Sequence, residues 1–240
     1  MEIISKLVSD DKRIDKDGNI DNRPVTQENI ENGTYWPKKA YSMIGVKRMK
    51  NIQFCIECIK ENNIEGDFLE AGVWRGGAVI FMSYLNKLYN MCRTIHVADS
   101  FEGLPAPEDR FPHDEGDVHH KIEMLKVSVE EVKHNFKKFD LLDSNVEFIE
   151  GYFQDSLKHA PVRSLSLLRI DADMYSGTYS VLDNLYSKVS KGGFIIIDDY
   201  IHGPCREAVT DFRNENNITS EIIKIDHTGV YWIKDSLIFG

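Results

Sequence analysis

Between residues 67 and 197 the sequence alternates between two periodicities. Short apolar stretches with strand character stand at 67–71, 94–98, 146–150, 165–170 and 193–197, and segments with helical spacing separate most of them, at 78–89, 127–139 and 175–190. Parallel strands need a crossover of a dozen or more residues, and a helix is the usual one. The alternation therefore predicts an α/β fold: a parallel sheet covered by helices on both faces, whose strands read as almost continuous apolar runs. Residues 41–62 add a helix before the first strand, and 205–216 one after the fifth. The chain then changes character. Residues 220–225 and 229–234 read as two strands around Asp226-His-Thr-Gly229, a tight hairpin that sets an antiparallel strand at one side of the sheet. The expected architecture is a doubly wound, seven-stranded Rossmann-like sheet with a C-terminal antiparallel hairpin.

Residues 1–35 are polar, charged and poor in apolar periodicity, so 1–40 is expected to form a flexible N-terminal arm or helical lid and 41–240 one domain. Residues 101–126 hold three prolines and two glycines among many charges, which marks an insertion over the strand ends. With 29 Lys and Arg against 39 Asp and Glu, the net charge of −10 argues against nucleic acid as a partner. The longest apolar runs fall far short of the roughly 18 residues of a membrane span. The N-terminus lacks the apolar core of a signal peptide, so a cytoplasmic protein without a membrane partner is expected. Cys55 and Cys58 form a CxxC on a helical segment without a second pair, and read as buried thiols rather than a metal or redox site.

In a doubly wound sheet, ligands bind beyond the carboxyl ends of the strands. Here the strands end in or are followed by acids: Glu70 before Gly72, Asp99, then Asp155 after the third strand, Asp171 with Asp173 after the fourth, and Asp198 with Asp199 after the fifth. Any single one reads equally as a helix cap. The run of them at successive strands points to a site. The loop from Gly72 to Gly77 lacks the G-x-G-x-x-G spacing, which weakens a dinucleotide reading. A nucleoside without phosphates fits better: S-adenosylmethionine offers a ribose diol, an adenine amine and an ammonium, all donors to acids. Asp171, Asp198 and Asp199 on adjacent strand ends would repel unless protonated or bridged by a cation, and an all-oxygen donor set suits Mg²⁺. Asp173 reads either as a general base or as the N-cap of the helix at 175–190. His119 and His120 read either as substrate contacts or as part of a solvated loop.

The motifs Met43-Ile-Gly-Val-Lys-Arg48, Gly66-Asp-Phe-Leu-Glu-Ala-Gly-Val-Trp-Arg-Gly-Gly77, Ala98-Asp-Ser-Phe-Glu-Gly-Leu-Pro105, Gly116-Asp-Val-His119, Gly151-Tyr-Phe-Gln-Asp155, Arg169-Ile-Asp-Ala-Asp-Met-Tyr175, Gly192-Gly-Phe-Ile-Ile-Ile-Asp-Asp-Tyr200 and Gly229-Val-Tyr-Trp232 follow one another in order. In this the chain resembles the macrocin and mycinamicin sugar O-methyltransferases of the TylF/MycF type over about 41–234. The resemblance implies an S-adenosylmethionine-dependent methyltransferase domain that also uses Mg²⁺. It implies that Met43, Glu70, Gly72, Trp74, Asp99, Ser100, Phe101, Asp155 and Asp171 hold the cofactor, and that Asp171, Asp198 and Asp199 hold the metal. Asp173 becomes the general base, with His119 as a second catalytic candidate. The implied acceptor is a sugar hydroxyl of a glycoside, either a natural product or a surface glycan, and the implied assembly a homo-oligomer. A catechol-type enzyme would carry Lys three residues after the first metal Asp, where this chain has Met174. A metal-dependent phosphatase or nuclease would need cationic phosphate donors that the acidic loops lack. A non-catalytic S-adenosylmethionine-binding protein would have no use for the three metal-site carboxylates.

Overall fold

The computed structural model of the chain describes residues 2–235. In order, its elements are α1 (Glu2–Val8), β1 (Arg13–Ile14), β2 (Ile20–Asp21), α2 (Gln27–Asn32), β3 (Trp36–Pro37), α3 (Gly45–Glu61), β4 (Asp67–Ala71), α4 (Gly77–Leu88) and β5 (Ile95–Asp99). There follow α5 (Val129–Lys138), β6 (Val146–Glu150), α6 (Phe153–Ser156), β7 (Leu165–Ile170), α7 (Tyr175–Leu185), β8 (Val189–Ile197), α8 (Gly203–Glu215), β9 (Ile223–Lys224) and β10 (Val230–Ile233). The expected end of the main domain at residue 240 lies outside the described residues.

The large sheet has seven strands in the order β6-β5-β4-β7-β8-β10-β9. From β6 to β8 neighbouring strands are parallel, and β10 runs antiparallel to β8 with Val230 opposite Ile197. The hairpin is shorter than its sequence suggested: β9 is only Ile223–Lys224, and its turn is closed by Asp226 Oδ1, which accepts from the Thr228 and Gly229 amides. Side chains alternate across the sheet. Phe68, Leu167, Phe194 and Ile196 face a core completed by α1, α3, α4 and α5, while Leu69, Leu168, Ile195 and Ile197 face one completed by α7 and α8. The CxxC lies on α3, with Cys55 fully buried and its thiol pushed up by burial; both cysteines are free.

Residues 1–35 are not a featureless arm. Ile4, Leu7 and Val8 stand at i, i+3 and i+4 of α1 and are buried in the core shared with α3 and α4. Beyond them β1 pairs antiparallel with both β2 and β3 in a small three-stranded sheet. The amides of Tyr41 and Ser42 donate to Leu7 O, and Gly77 N donates to Tyr41 O, which holds the entry to α3 against the start of α4.

The strand order reverses at β4: the chain moves outward to β5 and β6, then crosses back to place β7 on the other flank. The crevice at such a reversal is where open α/β sheets bind ligands. Gly72 closes the floor of this one. Its φ is +86°, and a Cβ there would collide with the Asp171 carbonyl, so only glycine lets the loop after β4 pass so near the end of β7.

Candidate active site

Strand register assembles the centre of the site. Glu70 pairs with Arg169 across β4 and β7, and Arg169 with Ile196 across β7 and β8. The two-residue period puts Asp198 on the same face as Ile196. The Arg169 guanidinium, fully buried, therefore contacts Glu70 Oε1 and Asp198 Oδ1, and reaches Asp171 Oδ2 at 3.0 Å. A second buried arginine, Arg48 of α3, contacts Asp198 Oδ2 and lies 3.2 Å from Asp226 Oδ2. The sequence reading missed both cations. An arginine in the otherwise apolar strand LSLLRI was the available signal, since a buried charge demands partners.

Asp171, Asp198 and Asp199 offer oxygens that all lie within 4.8 Å of one another. Asp173, Asp199 and His202 form a second such group sharing Asp199; His202 had not been singled out in the sequence. Burial, followed by neighbouring carboxylates, pushes Asp171 and Asp199 well above the usual carboxylate range and Asp173 up to about 7. The arginines touch Asp171 and Asp198 but leave Asp173 and Asp199 without a cationic partner among the described residues. A hard divalent cation fits Asp171, Asp198 and Asp199, a donor set that is all carboxylate oxygen and carries more negative charge than the two guanidiniums offset.

Asp173 is not the cap of α7. Met174 occupies the N-cap position without a side-chain bond, and Asp173, with φ +54°, turns its carboxylate into the cavity while its amide donates to Asp199 Oδ2 at 3.2 Å. The cap comes from the insertion. Asp114, 1% exposed, accepts from the amides of Tyr175 at 2.7 Å and Ser176 at 2.9 Å.

One cavity of about 610 Å³ joins these groups to the ends of β4 and β5. Of the residues assigned to the cofactor, Met43, Glu70, Gly72, Trp74, Asp99, Ser100 and Asp171 line it. Asp99 does more than face it: Oδ2 accepts from Val73 N at 2.7 Å and Oδ1 from Phe101 N at 2.8 Å, so one carboxylate ties two loops together. Phe101 does not line the cavity, because its ring packs against Phe148 with centroids 6.2 Å apart. Nor does Asp155. It follows the edge strand β6, its side chain is 81% exposed and paired with Lys158, and the same turn sends Phe153 and Gln154 inward instead.

The insertion and the N-terminal segment also line this cavity. His119 lines the cavity with Nδ1 2.7 Å from Asp117 Oδ2, which fixes the ring; His120 is absent from the lining. Arg13, Lys16, Arg23, Tyr35 and Trp36 line it from the N-terminal segment, so the small sheet and its flanking loops stand where a lid was expected. Among the described residues no helix is long and apolar enough to cross a membrane.

Residues 2–234 match the family described as macrocin O-methyltransferase (TylF). The chain is 45% identical over 220 residues to demethyldecarbamoylnovobiocin O-methyltransferase of Streptomyces niveus, covering 89% of this chain and 84% of that protein. It is 41% identical over 203 residues to 8-demethyl-8-(2,3-dimethoxy-alpha-L-rhamnosyl)-tetracenomycin-C 4'-O-methyltransferase of Streptomyces olivaceus, covering 83% and 78%. The solved structure of the O-methyltransferase NovP is similar with a TM-score of 0.91 at 40% identity, over 98% of this chain and 97% of that one.

Proposed function

The chain belongs to the TylF macrocin O-methyltransferase family, and from that premise we propose that it moves the methyl group of S-adenosylmethionine to a sugar hydroxyl of a glycoside, with Mg²⁺ or a similar cation at Asp171, Asp198 and Asp199. The observation that carries this reading is the continuity of one cavity, in which Asp171 and Asp173 stand beside the cofactor-side residues Glu70, Gly72 and Asp99. The rhamnosyl group in the name of the Streptomyces olivaceus relative supports a deoxysugar glycoside as the acceptor class.

Glu70 and Asp99 present acceptors to the ammonium and hydroxyl donors of the cofactor at the ends of β4 and β5. Arg169 holds Glu70, Asp171 and Asp198 in one row and offsets part of their charge. When bound, a divalent cation supplies acidification of a hydroxyl whose pKa otherwise lies near that of water, about 15.7. Asp173 accepts the hydroxyl proton. The oxygen forms its bond to the methyl carbon as the sulfur–methyl bond breaks, and the electron pair stays on sulfur. His119, the insertion and the N-terminal sheet enclose the acceptor and limit water.

The test is transfer of label from S-adenosyl-[methyl-³H]methionine to a panel of deoxyhexosides with free vicinal hydroxyls. Label in the glycoside, at a rate that saturates with cofactor, is the expected result. Tight S-adenosylhomocysteine binding with no transfer to any glycoside or phenol would instead identify a non-catalytic cofactor-binding protein.

A further inference from the structure

The helix that begins one residue after the Asp173-Met174 pair has no cap of its own. Met174 is apolar and 1% exposed, and Asp173, the residue best placed to cap by sequence, faces the cavity instead. The two free amides of Tyr175 and Ser176 are taken by Asp114, 61 residues before Tyr175 in the chain. Next to it His113 stacks on the Tyr175 ring with centroids 4.3 Å apart.

Asp114 is tied by its own backbone to the part of the cavity lining that holds His119. Its carbonyl accepts from Asp117 N at 3.0 Å, and the Asp117 carboxylate holds His119. A short chain of contacts thus runs from the first turn of α7 through Asp114 and Asp117 to His119. The insertion has a separate anchor on the cofactor side, where Trp74 Nε1 donates to Met124 O at 2.8 Å. We infer that Asp114 is a positioning residue for methyl transfer: it pins the insertion to the first turn of α7 and so fixes the Asp173 loop and His119 relative to each other in one cavity. An apolar N-cap and a buried carboxylate borrowed from the insertion free Asp173 for the site, and tie the spacing between the Asp173 loop and His119 to the docking of the segment that carries His113 and Asp114. Cofactor binding, anchored elsewhere, does not depend on it.

This inference rests on the methyl-transfer reading, and its test keeps the two separable. Trypsin cleavage at Arg110, Lys121 and Lys126 reports docking of the insertion without any acceptor. In Asp114→Ala that cleavage should quicken by roughly ten-fold as the local contact opens. Single-turnover transfer to a glycoside used by the wild type should fall by roughly 10- to 100-fold, the scale of a misplaced reacting group. The Kd for S-adenosylhomocysteine should stay within about two-fold. Asp114→Asn keeps one accepting oxygen and should lie between Ala and wild type in both rates. Ser128→Ala is the matched control: it deletes the cap of α5, where Ser128 Oγ accepts from Glu131 N, away from the cavity. It should lower the melting temperature comparably with turnover and trypsin protection unchanged. Wild-type turnover and protection in Asp114→Ala, or equal loss of turnover in Ser128→Ala, would overturn the inference. If Asp114→Ala does not fold, wild-type values for both rates in Asp114→Asn overturn it. A wild-type enzyme that methylates no glycoside would count against the methyl-transfer reading, and the trypsin arm would still decide whether Asp114 docks the insertion.

Discussion

Glu70 and Arg169 stand opposite each other in the parallel ladder between β4 and β7, and their side chains form a buried ion pair that Arg169 extends to Asp171 and Asp198. The cofactor end and the acidic end of the site are thereby joined through one guanidinium. Its planar fork spreads contacts to three carboxylates over two terminal nitrogens, where a lysine would offer a single ammonium.

Removing that cation leaves Glu70 and Asp198 buried with less compensation. Breaking a buried ion pair in this way costs about 3–5 kcal/mol, so Arg169→Met is expected to lose stability on that scale in urea unfolding followed by circular dichroism. A loss below about 1 kcal/mol, the worth of an exposed pair, would show that the row is not the anchor described.

Asp99 ties the loop after β4 to the loop after β5 and faces the cavity between them. In Asp99→Ala both amides lose their acceptor and the cofactor loses a carboxylate. Affinity for S-adenosylhomocysteine, measured by titration calorimetry, should fall by about 1.5–3 kcal/mol, as for hydrogen bonds to a charged group. Unchanged affinity would remove Asp99 from the cofactor site.

The strands, the crossovers and the acidic strand ends were legible because each is a local pattern: apolar runs of strand length, helical spacing between them, and an acid where a strand stops. Other features were missed or misplaced, each for a different reason. Ile4, Leu7 and Val8 carry helical spacing, but in so short a segment the surrounding charge hid it. Asp155 follows a strand as the other acids do, yet the burial of a residue beyond a strand end depends on the strand's place in the sheet, and β6 is at the edge. Asp114 has no local signature at all, since one Asp among the charges of the insertion becomes a helix cap only through a contact 61 residues away in sequence. The two arginines were visible as residues, but what they neutralise depends on strand register, which the sequence does not display.

If a cation sits among Asp171, Asp198 and Asp199, EDTA should abolish label transfer and Mg²⁺ should restore it, because carboxylates this close repel without one. S-adenosylhomocysteine affinity should stay within about two-fold in chelator, since the cofactor is held mainly from β4 and β5. Full transfer in the presence of EDTA would contradict the metal assignment.

The central claim is that Asp173 takes the proton of the acceptor hydroxyl, and the structure makes it sharply testable because Asp114, not Asp173, caps α7. Asp173→Asn keeps shape and hydrogen bonding but cannot accept that proton. The decisive measurement is single-turnover methyl transfer by Asp173→Asn at saturating cofactor and Mg²⁺, alongside its melting temperature. The account predicts a rate lower by about 10²- to 10⁴-fold with an unchanged melting temperature and cofactor affinity. A rate within a few-fold of wild type would contradict it and assign the base to another group.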